Sequence, residues 1–369
     1  MDWRRAELID RAGDAPSVRE LFDAASSRLR RMVGFDSAVW LATDPATGLP
    51  TAPARSENMR HACKGSEDCM RVWENEFLVD DVNLYRDLAH AETPAAGMRL
   101  ATDDKPARSA RYRDFMRPNG FGDELRAVLR VDGGPWASIG LYRERGRPAF
   151  DAGDTKLVAS LSQPLAEAVR EHARRTVAPA EETGEHGPGL LLFAPTGELL
   201  TANDEALAWL EQVPPDAGDH DSFNLPLPMA AAGALMRARA TATARARLRS
   251  RTGRWLVLHA TCMRDAAGEI EHTALVIEPA HAAEIAPIIV QAYELSAREQ
   301  EITRLIAQGL GTAAIAERLY LSTHTVRDYV KAIFEKVGVS SRGELVATLF
   351  AEHYAPAHIR SLSHDRVDV

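Results

Sequence analysis

The 369-residue chain has little cysteine, little lysine and no long apolar run. Its three cysteines, Cys63, Cys69 and Cys262, are too few for a disulfide scaffold and fit a reducing compartment. No stretch approaches the roughly 18 apolar residues of a membrane span. The start, Met1-Asp2-Trp3-Arg4-Arg5, leads into no apolar signal segment. A cytoplasmic globular protein is expected, with 45% hydrophobic and 26% charged residues. An excess of base is also lacking. The 44 basic against 53 acidic residues give a net charge of −9. That excludes a generally basic nucleic-acid coat, but not a DNA binder whose site carries its own local field. Five of the basic residues are lysines and 39 are arginines, so an arginine cluster is not by itself a phosphate site. The length allows two or three domains at about 100–200 residues each.

The chain shows no internal repeat. Residues 17–33 carry a helical stripe of Val18, Leu21, Phe22, Ala25, Leu29 and Met32. A strand is expected over Phe35–Leu41 and a helix over Ser66–Leu78, with Cys69, Met70, Trp73 and Phe77 along one side. Strands at Glu124–Val131 and Trp136–Tyr142 flank Asp132-Gly133-Gly134-Pro135, a hairpin signal. Asp154 is positioned to cap a helix reaching about Ala173. The polar stretch 172–189 lacks an apolar period and reads as a linker. A second module has strands at Gly189–Phe193, Leu199–Leu200, Thr243–Ser250, Trp255–Met263 and Glu271–Ile277, and a helix from Asn203 to about Glu211. Between them lies a loop with Pro214, Pro215, Pro226 and Pro228. Helix then strands then helix predicts α+β packing on an antiparallel sheet for each module.

From Glu284 only helices are expected. Ser296 and Glu299 have the spacing of a capping box for a helix to Gln308, stopped by Gly309. Thr312 is positioned to cap a short helix to Leu319, and Ser322 a longer one ending at Gly338. Ser341 and Glu344 form a second capping box, opening a last helix to about His353. Only Tyr320 and Leu321 separate the two middle helices, which forces a sharp crossing. In the longer one Val326, Val330, Ile333 and Val337 form a stripe for burial. Opposite them lie His324, Arg327, Asp328, Lys331 and Glu335, with Ser322 and Thr323 at the start. Such a helix suits major-groove reading. Arg327 can pair with guanine O6 and N7, Asp328 can accept from cytosine N4, and Lys331 can reach guanine or phosphate. Thr325, Tyr329 and Lys336 flank the face and can donate to phosphates. The pattern alone equally allows an ordinary helical bundle with a solvated face.

The blocks Leu295-Ser-Ala-Arg-Glu299, Leu305-Ile-Ala-Gln-Gly309, Ile315-Ala-Glu-Arg-Leu319, Ser322-Thr-His-Thr-Val-Arg327 and Ile333-Phe-Glu-Lys336, ending Ser341-Arg342, closely resemble the LuxR-type (GerE-like) DNA-binding domain. That resemblance implies four helices, the third entering the major groove and the last often contributing to dimerisation. Two positions depart from the family. Arg327 stands where lysine is usual, a mild change, and Tyr329 where histidine is usual, so a phosphate contact there would come from the phenol.

The first module resembles a GAF domain in its N-terminal helix, its Glu124–Tyr142 hairpin, Phe150 before Asp151, and its closing helix. The second resembles a PAS domain in Pro195-Thr-Gly197-Glu-Leu-Leu-Thr-Ala-Asn203 and the Trp255–Ile277 hairpin. Both resemblances imply small-molecule or cofactor pockets, or dimerising relays. The expected organisation is a GAF-like domain 1–173, linker 174–188, PAS-like domain 189–283, connecting helix 284–294, LuxR-type domain 295–353 and flexible tail 354–369. The fold class is α+β multidomain, two antiparallel-sheet sensory domains followed by an all-α four-helix domain. The order looks like that of an actinobacterial one-component regulator.

Absences narrow this reading. There is no phosphate-binding Gly-x-x-x-x-Gly-Lys-Ser/Thr loop, which excludes the large ATP-dependent regulators with this DNA-binding domain. A receiver-type acidic pair with its strand aspartate is missing, as is the Trp/Tyr/Asp pattern of acyl-homoserine-lactone receptors. No cofactor, metal or enzymatic activity is expected. Double-stranded DNA, RNA polymerase, a second copy of the chain and an unidentified small molecule are the expected partners, with no membrane.

Three features carry rival readings. Cys63 and Cys69, with His61 nearby, suggest a metal or redox pair, yet no second ligand pair is evident and Cys69 falls on an apolar helix side. A cysteine-based GAF redox enzyme is the corresponding alternative, and a non-DNA-binding adaptor is another. Arg245, Arg247, Arg249 and Arg251 alternate along one strand. They suit an acidic ligand or DNA, or a solvated sheet face. Trp40, Trp73, Phe77 and Trp136 form a candidate ligand pocket, or simply core. No histidine sits in a haem motif. The charge has an address: residues 295–353 hold seven basic and seven acidic side chains, so the excess of −9 lies in the sensory part. Weak, salt-sensitive non-specific binding by a dimer follows. The acidic sensory part can also repel DNA until a signal rearranges it.

Overall fold

The computed structural model describes residues 2–59, 66–175, 187–213, 229–251, 254–280, 293 and 295–346. The chain forms two compact units, one from residues 1–172 and 180–279, the other from 173–179 and 280–369.

The first unit opens with α1 (Asp2–Gly13), which the sequence reading did not anticipate; it buries Leu8 and Ala12. In α2 (Val18–Val33) the Ser17 hydroxyl accepts from the Glu20 N–H, and Gly34, at φ +67°, ends the helix. Its stripe of Leu21, Phe22, Ala25 and Leu29 is buried. β1 (Ser37–Thr43) and β2 (Pro50–Glu57) follow, then α3 (Ser66–Phe77), α4 (Tyr85–Leu88), β3 (Ala95–Gly97) and α5 (Met98–Ala101). β4 (Phe121–Val131) and β5 (Gly134–Glu144) complete a five-stranded antiparallel sheet in the order β2-β1-β5-β4-β3. Val131 pairs with Gly134, leaving Asp132 and Gly133 as a two-residue turn, both at positive φ as a type I′ hairpin requires.

The closing helix differs from expectation in two ways. Asp151, not Asp154, is its cap: Asp151 accepts from the Asp154 N–H, and the Asp154 carboxylate accepts from the Asp151 N–H in return. The helix is also broken, into α6 (Ala152–Ser160) and α7 (Ser162–Arg175). Pro164 has no N–H for the Ser160 carbonyl, which instead accepts from Arg5 at 2.9 Å. Ser162 turns to β4, donating to the Val128 carbonyl and accepting from the Arg130 N–H.

A buried charge network covers one face of β4. Arg111 reaches Glu124 at 2.8 Å, and Arg126 reaches Glu124 at 3.0 Å and Glu76 of α3 at 2.8 Å. All four side chains are at most 2% exposed. Arg126 lies over the Tyr85 ring at 4.3 Å. Burial raises the Glu124 carboxyl, but the two guanidiniums outweigh it and hold the group below the usual range. Burial pushes the Glu76 carboxyl and the Tyr85 and Tyr142 phenols up. Gly140 opposes Arg126, and a Cβ there would lie 3.0–3.1 Å from both phenol oxygens.

The second sheet has the same strand order within itself, though the sequence shows no repeat. β6 (Gly189–Phe193), β7 (Leu199–Ala202), β8 (Thr243–Arg249), β9 (Trp255–Arg264) and β10 (Ile270–Pro279) lie antiparallel as β7-β6-β10-β9-β8. α8 (Asp204–Gln212) is capped by Asn203. α9 (Met229–Thr241), unassigned from sequence, is buried on nearly every side along its first ten residues, so it shows no amphipathic stripe. One apolar core joins the two sheets: Leu41, Leu49, Met70, Trp73 and Phe77 cluster with Trp209, Leu235, Leu248, Leu258 and Ile277. The buried Asp44 carboxylate, between β1 and β2, binds Arg247 of β8.

No described helix is long and apolar enough to cross a membrane. Among the described residues no three His, Cys, Asp or Glu side chains gather as metal ligands do. Cys63 and His61, and the linker core 176–186, lie outside the described residues, and of Cys69 only the helical backbone is described. Cys262 is a free thiol on β9.

Candidate nucleic-acid interface

The second unit is helical: Ala297–Ala307, Thr312–Arg318, Thr323–Val337 and Arg342–Val346, with residues beyond 346 outside the description. Ser296 and Glu299 form the expected capping box. Gly309 reverses the chain at φ +83°. The cap of the second helix is Gly311 rather than Thr312. The Thr312 hydroxyl instead accepts from Arg342 at 3.2 Å, and Arg342 also donates to the Leu310 carbonyl at 2.8 Å.

The third helix starts at the Ser322 cap, whose hydroxyl accepts from the Thr325 N–H, and ends at Gly338 in the left-handed region. Val326, Ile333 and Val337 are buried and Val330 is half-buried, so the apolar stripe faces inward. Two scaffold bonds hold this helix and the turn before it, and a third, Arg298 to Glu301 within the first helix, orients the arginine. Arg298 donates to the Leu319 carbonyl at 2.8 Å and to Glu301 at 2.6 Å, and Lys336 donates to Glu299 at 2.7 Å.

The candidate contact residues separate accordingly. Ser322, Thr323, His324, Arg327, Asp328 and Lys331 are exposed on one face, with Thr325 and Tyr329 half-buried beside it. The Thr325 hydroxyl lies 2.8 Å from that of Ser322, inside the cap. His324 lies 3.7 Å from Asp328, and Lys331 3.9 Å from Glu335. Such exposed pairs contribute little and yield readily to a better partner. Arg327 has no ion pair among the described residues. Lys336 is turned to Glu299, away from this face. A residue passed over in the sequence is Tyr320, 96% exposed in the turn with a left-handed backbone at φ +55°. A bulky side chain rarely adopts that region; the two-residue spacing between caps was the available signal.

Burial raises the Glu299 carboxyl, but the Lys336 and Ser296 bonds outweigh it and hold it below its ordinary range. Its contribution to stability is therefore complete above the unfolded value of about 4.3. It is lost as pH falls through the lower folded value. Glu299→Gln is expected to cost about 1 kcal/mol at pH 7, discounted because Lys336 is 38% exposed. In urea unfolding the gap to wild type narrows below about pH 4; a gap independent of pH contradicts this role.

The pocket aromatics are packed into the core. Trp73 and Phe77 stack at 5.9 Å within the shared core. Trp40 packs on Phe22 at 5.6 Å. It pairs with Ile139 of β5, and the β4–β5 register shifts by one residue at Trp136, which interrupts the alternation of faces there. All four are buried.

Residues 293–349 match the family described as bacterial regulatory proteins, luxR family. Over 66 residues the chain is 44% identical to the probable transcriptional regulatory protein NarL of Mycobacterium tuberculosis, covering 18% of this chain and 28% of that protein. Over 52 residues it is 48% identical to the oxygen regulatory protein NreC of Staphylococcus aureus, covering 14% and 24%. The chain thus spans about a quarter of the length of these relatives. Among solved structures, Escherichia coli SdiA aligns over 96% of this chain and 98% of that one, at 13% identity and a TM-score of 0.35. A Vibrio cholera VqmA–ligand–DNA complex aligns over 44% and 81%, at 21% identity and a TM-score of 0.21. Scores this low carry no argument about the whole chain. Residues 293–349 form a LuxR-family DNA-binding domain.

Proposed function

We propose that the chain is a cytoplasmic, one-component transcription regulator that reads DNA as a homodimer on a pseudo-palindromic site. Helix Thr323–Val337 enters the major groove, and the protein acts with RNA polymerase. One observation carries this reading: an exposed Arg327, with no ion pair among the described residues, sits on a helix whose opposite face is anchored by Val326, Ile333 and Val337. The two sheet modules, GAF-like and PAS-like, carry the signal through a ligand or partner. Their support is two five-stranded sheets of equal strand order sharing one core.

Arg327→Ala or Lys331→Ala is expected to weaken binding to a specific site by about 1–3 kcal/mol, roughly 5- to 150-fold, and to relax one base position. Gel shifts on genomic fragments measure this. Undiminished affinity in both variants removes the assignment. Absence of any specific shift at low salt favours an adaptor acting through protein contacts.

A further inference from the structure

Tyr320 occupies a position that suits glycine. Helix Thr312–Arg318 closes with two bonds: the Leu321 N–H donates to the Ala316 carbonyl at 2.8 Å, and the Tyr320 N–H to the Glu317 carbonyl at 3.3 Å. This closure puts the residue after the cap in the left-handed region, where glycine is usual because it has no Cβ. The helix before it ends in the same way. There the Leu310 N–H donates to the Leu305 carbonyl at 3.1 Å and the Gly309 N–H to the Ile306 carbonyl at 2.9 Å. The left-handed residue is Gly309, at φ +83°, in one turn and Tyr320, at φ +55°, in the other. At 96% exposure the Tyr320 ring packs on nothing. Neither backbone preference nor burial therefore accounts for a tyrosine at this site, and a strained, exposed side chain points outward to a partner.

The place of Tyr320 in the fold identifies that partner. It follows the helix that crosses the DNA backbone in a helix-turn-helix, and it stands two residues before Ser322, the cap of the helix that enters the groove. Two residues put the Cα atoms of Tyr320 and Ser322 at most about 7.6 Å apart. A helix with its side chains is about 10–12 Å across, and the major groove of B-DNA is about 12 Å wide. An inserted helix thus fills the groove, and the segment leading into it meets the groove edge, where the phosphates run. A phenol supplies one O–H donor there without adding charge.

We propose that Tyr320 is a DNA-positioning residue whose phenol O–H donates to a phosphate oxygen at the edge of the bound major groove. The inference rests on the DNA reading above and adds to it a contact outside helix Thr323–Val337. A phosphate contact fixes the placement of the domain and carries no sequence information.

Gel shifts of the full chain test this on a genomic fragment that wild type binds specifically and on a scrambled duplex of equal length. Thermal unfolding without DNA runs beside them. Tyr320→Phe removes only the hydroxyl, and Tyr320→Gly removes the side chain and the strain. Both variants bind about 10-fold more weakly than wild type on both duplexes, whereas Arg327→Ala loses affinity on the specific one. Tyr320→Gly melts no lower than wild type. Tyr320→Lys sets a cation beside the same phosphate and steepens the slope of log affinity against log salt by about 1, while Tyr320→Phe leaves the slope unchanged. The proposal is overturned if Tyr320→Phe binds as tightly as wild type, or if its loss is confined to the specific duplex. It is equally overturned if Tyr320→Gly melts lower than wild type or if Tyr320→Lys leaves the slope unchanged. Full DNA affinity with lost transcription overturns it in favour of a contact with the polymerase. Absence of any wild-type shift is a separate result, which removes the DNA reading itself and this contact with it.

Discussion

Replacing Glu124 by glutamine is expected to lower the stability of the first unit by about 3–5 kcal/mol at pH 7. Each Glu124 oxygen takes a different guanidinium, Arg111 at 2.8 Å and Arg126 at 3.0 Å, in a site that is 1% exposed. An amide keeps the shape but can accept at only one of those positions, and it turns an N–H₂ toward a cation at the other. Arg111 is then left with Asp81 at 3.9 Å, and one of its nitrogens already lacks a hydrogen-bond partner. Arg126→Lys is expected to fail similarly, because one ammonium cannot serve Glu124 and Glu76 together or stack on Tyr85. The sign with pH follows from the depressed Glu124 carboxyl. The wild-type advantage is full above the unfolded glutamate value near 4.3 and fades as pH falls through the folded one. Urea unfolding of both proteins from pH 3 to pH 8 measures it. A loss below about 1 kcal/mol at neutral pH would show that the network is a passive, hydrated cluster.

That network also marks where sequence reading stops. The alternation of β4 is visible, but an acid and an arginine in alternate positions read as a wet face. They are dry because α3, α4 and Arg111 close over them, and those contacts join residues 76, 85, 111 and 124. Pairing across such sequence separations leaves no periodic trace. α9 escaped for the opposite reason: burial all round removes the 3.6-residue contrast that reveals a surface helix. In the second unit the signals are local. Ser296, Ser322 and Gly338 cap within four residues of what they satisfy, and Val326, Ile333 and Val337 repeat at helical spacing. The exposed polar face was therefore legible, while Lys336 was not separable from it. Its partner Glu299 lies 37 residues earlier. Trp40, Trp73, Phe77 and Trp136 illustrate the same limit: aromatic character is visible, but not the packing that sets Trp40 on Phe22 and Trp73 on Phe77.

The joint between the two sheets yields the second large effect. Asp44 is fully buried in the β1–β2 turn, where one oxygen accepts from the Ala46 N–H at 2.9 Å and the other binds Arg247 of β8. Asp44→Ala removes both and leaves a cation that is 7% exposed with no counter-charge. A loss of about 3–5 kcal/mol is expected. Asp44→Asn retains an acceptor for the Ala46 N–H and loses only the charge, so it separates the turn from the ion pair. The stronger test is Asp44→Ala with Arg247→Met. If most of the loss comes from an orphaned cation, the double variant is more stable than Asp44→Ala alone, despite carrying one more substitution. If the loss comes from the turn, the double variant is no better. The bond ties the β1–β2 turn to β8, two segments that also give Leu49 and Leu248 to the core shared by both sheets. Wild type should therefore unfold both sheets in one transition, monitored by urea with fluorescence and circular dichroism in parallel. In Asp44→Ala the two probes are expected to separate as the sheets lose their polar lock. Coincident probes together with a loss under about 1 kcal/mol would mean that apolar contact alone joins the sheets. A signal arriving at either sheet would then reach the other through packing rather than through this charge.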